Sequence, residues 1–280
     1  VGKTTTVANV GAALARRGLR VVLADLDPQA HLTTHVGVEP DHIEKGSYAV
    51  LTQSVGFEDA LLAVRENLWL LAANIDLVGA ESELVSVPGR ETILREAVEG
   101  IREGFDYLIV DCPPSLGLLT LNALAAVQEV LIPIQPHFLA LQSFGQLLQT
   151  IMLVNRRVNP ALKVAGVLLC IFDTRTSLSG EIKSDIEQFL RSSSTSDKPW
   201  SQATVIPVCV RRNIKLAEAP SYGKTIFEYD QSCHGAEDYA LVAEYLHTGT
   251  VSGQTDRPVP AAELENPDTE TQAADHIAAD

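Results

Sequence analysis

The sequence is poor in aromatic residues, with seven Phe, six Tyr and two Trp among 280 residues. Trp69 and Trp200 stand alone, so no run of rings offers a stacking platform for bases. Cysteine is scarce too. Cys112, Cys170, Cys209 and Cys233 lie far apart, which excludes both a CxxC metal pattern and a dense disulfide framework. Reduced thiols in a cytoplasmic compartment are expected. No apolar run reaches the roughly 18–20 residues of a membrane span, and no signal peptide is evident. Cations are outnumbered, 21 Lys+Arg against 36 Asp+Glu, for a formal net charge of −15. That total argues at first against a phosphate-rich partner, although a total says nothing about distribution.

What is present is a globular composition, 46% hydrophobic and 20% charged. The acids are uneven. Residues 249–280 hold seven of them against Arg257, with almost no large apolar side chain. Such a segment cannot offset its ordering entropy, so residues 248–280 are expected to be a disordered acidic tail. It carries no basic amphipathic stripe for a membrane surface.

Residues 1–247 alternate short β-branched runs with helical stretches. The runs at 20–25, 107–111, 130–134 and 164–172 are apolar on both faces, with 68–71 and 204–210 as further strands. Helices are expected near 4–17, 90–103, 117–127, 139–158, 178–191 and 236–247. This order predicts one α/β domain with a doubly wound, mostly parallel sheet. Ligands of such sheets sit at the carboxyl ends of the strands.

Three features lie there. The chain opens Val1-Gly2-Lys3-Thr4-Thr5-Thr6, the last part of a phosphate-binding loop running into a helix. Gly2 lets amides approach a phosphate, Lys3 supplies a point charge, and the Thr4 hydroxyl can ligate Mg²⁺. A Thr-rich helix start would look similar. Asp25 and Asp27 lie at the end of the strand RVVLAD two positions apart, so an extended chain points both toward the ligand crevice. One could hold a metal-bound water and the other orient an attacking water. An Asp-Pro turn is the plainer reading. The third feature, Tyr107-Leu108-Ile109-Val110-Asp111, is an apolar strand ending in a carboxylate that can serve Mg²⁺ through water. Pro113 and Pro114 then fix the exit of the chain.

Taken with LAEAPSYGKT at 216–225, the three motifs closely resemble the ParA/Soj chromosome- and plasmid-partition ATPases. This deviant-Walker group also contains MinD, and the resemblance runs from Val1 to about Leu246. It implies a P-loop NTPase fold, ATP and Mg²⁺ as cofactors, and hydrolysis of ATP. Gly2, Lys3 and Thr5 would hold phosphates, with Thr4, Asp111 and, more weakly, Asp25 serving the metal. Asp27 would orient the hydrolytic water with Lys3 as the catalytic cation. Phe172, Asp173, Arg212 and Asn213 would lie on the adenine side. The family loop reads KGGVGKTTT, and its first three residues are absent here, including the lysine that reaches across the dimer. The chain is therefore expected to be truncated at its start and to lack the first strand of the fold.

The resemblance also implies an ATP-dependent homodimer, non-specific DNA binding, a ParB-type centromere-binding partner and a cytoplasmic, nucleoid-associated location. Local charge agrees with DNA. Between Thr204 and Lys224, Arg211, Arg212, Lys215 and Lys224 face only Glu218. Arg175, Lys215, Arg211 and Lys224 are the expected phosphate contacts. A solvated loop paired to Glu218 is the alternative. His31 and His35 are four apart without a third ligand, which suits a solvated loop or helix face better than a metal. Cys112 is expected to pack, not react. Competing functions are a MinD-like membrane-positioning ATPase, a positioning ATPase for another cargo, and a non-hydrolysing fragment.

Overall fold

The computed structural model describes residues 2–173 and 175–251. The expected acidic tail therefore lies almost entirely outside the described residues. The chain begins with α1 (Lys3–Ala15), β1 (Val21–Asp25), α2 (His31–His35) and α3 (Ser47–Leu51). A hairpin of β2 (Leu61–Arg65) and β3 (Leu68–Leu71) follows, then α4 (Leu77–Glu83), α5 (Ile93–Glu99) and β4 (Tyr107–Asp111). The second half comprises α6 (Leu118–Ala126), β5 (Glu129–Ile134), α7 (Phe138–Arg157), β6 (Lys163–Phe172) and α8 (Ser177–Ser192). It ends with β7 (Thr204–Val205), β8 (Val210–Arg211), α9 (Ile214–Glu218), α10 (Ile226–Tyr229) and α11 (His234–Thr248).

The strands pair in the order β2-β3-β1-β4 and, separately, β5-β6-β7, with β8 also on β6. All pairings are parallel except the β2–β3 hairpin. The expected strand at 204–210 is broken into β7 and β8, because Pro207 between them has no N–H for a ladder.

Alternation along the strands explains the layers. Val21 and Leu23 point into a core shared with α1 and α11, while Val22 and Ala24 point into another with α5 and α6. On β6, Leu168 and Cys170 join the first core; Val167 and Leu169 face a third beneath α7 and α8. The α1 core includes partly buried Ile109 of β4 and Leu131 of β5, so one helix packs across both groups of strands. Fully buried side chains such as Leu23 and Leu168 contribute roughly 1.5–3 kcal/mol each. Gly11 lets α1 sit against β1, since a methyl there would strike Leu23. This seats the N-terminus of α1 beside the carboxyl ends of β1 and β4.

Candidate functional site

The approach to α1 requires glycine. Gly2 is left-handed, with φ +81°, and a β-carbon there would lie 3.2 Å from Cys170 Sγ. No side chain caps α1, and its first backbone bond runs from Thr6 N–H to Gly2 O. The amides of Lys3, Thr4 and Thr5 thus have no carbonyl one turn earlier to take them. They form an electropositive helix end suited to phosphate.

Across from it stands Asp111. The Thr4 hydroxyl donates to Asp111 Oδ2 at 2.6 Å. Asp111 is 1% exposed, and its Oδ1 is buried with no partner among the described residues. Burial pushes its carboxyl up to about 6, opposed by the Thr4 hydrogen bond and the nearby Lys3 charge. A buried carboxylate oxygen without a donor is costly unless a cation or its water completes it. One carboxylate and one hydroxyl beside a phosphate-ready helix end fit magnesium, which takes few protein ligands. The described residues hold no cluster of three or more His, Cys, Asp or Glu poised for a metal.

The two aspartates at the end of β1 do not act alike, contrary to the expectation that they share a direction. Asp25 is 0% exposed, and both its oxygens are taken. Oδ1 accepts the Asp27 amide at 3.1 Å; Oδ2 accepts the Thr33 amide at 2.9 Å and the Thr33 hydroxyl at 2.8 Å. Burial pushes its carboxyl up to about 7 against those bonds. These bonds give Asp25 a positioning role beside the metal role expected for it. Asp25 anchors the loop that carries Asp27. Asp27 itself is 9% exposed and, among the described residues, accepts only the Gln29 amide, at 3.0 Å through Oδ1. Its charge acts on Asp111, which brings it to the same face.

Thr33 was not legible as a site residue, because nothing in the spacing links it to Asp25. Its hydroxyl also accepts the Ala73 amide at 2.9 Å, so it ties α2, β1 and the end of β3 together. Asn9 was missed as well. Its Nδ2 donates to Thr5 O at 2.8 Å and its Oδ1 accepts the Ile226 amide at 2.8 Å. Arg65 is a third. It donates to Glu228 at 2.8 Å, Val36 O at 3.0 Å and Gly223 O at 3.1 Å, joining the end of α2 to the segment before α10. His35, expected on a solvated face, is 2% exposed beneath this junction.

The expected adenine-side residues come together. Arg212 N–H donates to Phe172 O at 3.3 Å, across a bulge in β6 where Ile171 is left-handed. Asp173 is held low, to about 2, by Arg175, whose guanidinium grips it at 2.9 and 3.0 Å. Asn213 caps α9, accepting the Lys215 amide at 2.8 Å.

The expected DNA contacts divide. Arg211 clasps the buried Asp238 at 2.9 Å and also reaches Glu237, which gives it a structural task beside the DNA contact expected for it. Arg175 stays 84% exposed while paired to Asp173. Lys215 pairs with Glu218 at 3.1 Å and lies over the Tyr229 ring. Lys224 is exposed. Cys112 packs against the core beside α5 and α6, and burial pushes its thiol up to about 12.

Comparison with known proteins decides the family. A family described as an AAA domain matches residues 1–164. The sporulation initiation inhibitor protein Soj of Bacillus subtilis is 44% identical over 87% of this chain and 92% of its own. The chain belongs to the Soj/ParA family of partition ATPases. A second Soj, the chromosome-partitioning ATPase of Thermus thermophilus, is 43% identical to this Soj/ParA protein over 87% of this chain and 90% of that one. Among solved structures, cobyrinic acid a,c-diamide synthase of Mycobacterium smegmatis, with ATP analogue and magnesium, has TM-score 0.73 and 36% identity. That match covers 89% of this chain and 92% of the other. Among the described residues of the Soj/ParA chain, no helix is long and apolar enough to cross a membrane.

Proposed function

We propose that this protein is a DNA-segregation ATPase whose ATP-bound homodimer holds DNA non-specifically and whose hydrolysis a ParB-type centromere-binding protein stimulates. The enzyme hydrolyses ATP with magnesium. The observation that carries the reading is the Thr4–Asp111 contact with its unpaired inner oxygen, set against the bare amides of Lys3–Thr5.

Each residue then has a task. Lys3 and the first amides of α1 hold the β- and γ-phosphates and take up charge as the terminal bond breaks. Thr5 lies against the α-phosphate. Bound magnesium would offset phosphate charge, held by the Thr4 hydroxyl and, through water, by Asp111. Asp27 orients the attacking water, and Asp25 fixes Asp27 by accepting its amide. Phe172, Asp173, Arg212 and Asn213 border the base. Loss of the γ-phosphate removes contacts available only in the ATP state, which frees the dimer and then the DNA.

DNA contact falls to Arg175, Lys215 and Lys224. Arg175 and Lys215 would exchange an acidic partner for phosphate, so each contact is weak and salt-sensitive. The protein acts in the cytoplasm, on the nucleoid. The test is duplex binding with ATP and with ADP, alongside turnover with DNA and a ParB-type partner. Binding in the ATP state and faster turnover with both additions are expected. Equal binding in the two states would overturn the switch.

A further inference from the structure

In a chain of net charge −15, the segment from Val130 to Phe172 contains no Asp or Glu at all. It comprises most of β5, all of α7 and all of β6. At 1.5 Å per residue, the twenty residues of α7 run about 30 Å. Its inner face is buried through Phe144, Leu148, Ile151 and Val154. Its outer face carries Gln142, Gln146 and Gln149, then Leu153, and ends in exposed Arg156 and Arg157.

Further cations gather at that end. Arg95 reaches across from α5 and donates to Val158 O at 3.2 Å. Lys163 opens β6, and the next amide, Val164 N–H, donates to Pro199 O at 2.9 Å, which brings Lys198 alongside. Arg156 and Lys198 line one cavity of about 240 Å³, together with Asn155, Ser196 and Asp197. None of these five cations is in an ion pair among the described residues, although Lys198 lies over the Trp200 ring. Carboxylates near these cations include Glu129, opposite Lys163 on β5, Asp197, and Glu96 and Glu99 on α5 with Arg95.

A helix C-terminus rewards cations in its last turn, which accounts for Arg156 and Arg157, and Arg95 satisfies an end carbonyl. It does not account for Lys163 and Lys198, which belong to other segments. Nor does it explain a solvent face of amides without a carboxylate. Amide and guanidinium donors with no competing acid suit an extended row of phosphates. A membrane surface fits less well. Leu153 is the one large exposed apolar side chain described on α7, and Leu141, Phe144, Leu147, Leu148, Ile151, Met152 and Val154 pack on the core.

We propose that the outer face of α7, the turn after it and Lys198 form a second nucleic-acid surface that binds duplex phosphates. Its cationic end lies at the far end of β6 from Arg175, about 30 Å away by the rise of a ten-residue strand. This rests on the reading that the protein binds DNA, and it extends the contact from one end of the subunit to the other.

The experiment is fluorescence anisotropy of a labelled duplex with ATP and magnesium, repeated over a salt series. It compares the wild type, the triple variant Arg156→Gln/Arg157→Gln/Lys198→Gln, and Lys224→Gln. Thermal unfolding checks that each variant folds. The triple variant is expected to lose at least about tenfold in affinity near 0.1 M salt. Its log–log salt slope is expected to flatten by about 2–3, at roughly 0.9 per phosphate contact. An unchanged slope in the triple variant, with a flatter slope in Lys224→Gln, overturns this surface and leaves DNA binding intact. A wild type that binds no duplex overturns both. Vesicles of anionic phosphatidylglycerol form the control. Sedimentation with them that is lost in the triple variant while duplex binding persists assigns the surface to lipid and overturns the proposal. A surface that proves to hold an acidic protein without affecting DNA overturns it equally.

Discussion

Thr33→Val removes one hydroxyl and nearly keeps the side-chain shape. That hydroxyl donates to Asp25 Oδ2 at 2.8 Å and accepts the Ala73 amide at 2.9 Å, and Thr33 is 0% exposed. A hydrogen bond to a charged group is worth about 1.5–3 kcal/mol net, and an orphaned buried amide costs about 1–3 kcal/mol. The two losses share one atom and do not add fully, so about 3 kcal/mol is expected. In urea, with a slope of about 2–3 kcal/mol/M, the midpoint should fall by about 1–1.5 M. Thr33→Ser keeps both bonds and should lose much less. Turnover should fall in the Val variant beyond its loss of folded protein, because Asp25 also holds the Asp27 amide. A Thr33→Val protein within about 0.5 kcal/mol of wild type, with normal turnover, would refute the role given to this hydroxyl.

Two further outcomes separate structure from function. Arg211→Ala should cost about 2–3 kcal/mol in urea unfolding, since it strands the buried Asp238 carboxylate, discounted because the guanidinium is 40% exposed. Lys224→Ala should leave the urea midpoint alone and flatten the salt dependence of DNA binding by about 1. His35 gives a pH signature. Burial and the Arg65 charge lower its pKa from 6.5 to about 4. Between those values the unfolded chain binds a proton that the folded protein does not, so the His35 contribution to stability falls as pH drops from about 6.5 to about 4, while the raised carboxyls of Asp25 and Asp111 contribute the opposite slope. The loss is up to about 1.4 kcal/mol per pH unit, and above 6.5 the group contributes no slope. In urea melts at pH 4.5, 5.5 and 7.5, the stability of His35→Leu relative to wild type should therefore rise as pH drops, because only the wild type carries the His35 contribution.

The elements that position the nucleotide were legible because their residues are locally self-consistent. The run YLIVD is β-branched and apolar before its acid, and VGKTTT places a glycine before a helix-forming segment. Helices α6, α7, α8 and α11 fall within a few residues of expectation, since their apolar spacing reports their buried faces. The short helices α2, α3, α9 and α10 were not foreseen. Each has five residues or fewer and is held by tertiary bonds such as Thr33 to Asp25. The Arg211 pairing was hidden for the same reason. Its partner is 27 residues away on α11, where a lone Asp reads as a solvated helix face. Charge counting therefore found the basic segment but not which of its cations are already used.

The most direct measurement is ATP turnover by the wild type and Asp27→Ala, with ATP affinity measured in parallel in the presence of magnesium. The Asp27 side chain accepts a single hydrogen bond among the described residues, from the Gln29 amide, so its removal should spare the fold and the binding of nucleotide. The account predicts turnover reduced by about 100-fold or more with ATP affinity nearly unchanged. Hydrolysis at the wild-type rate in Asp27→Ala would contradict it.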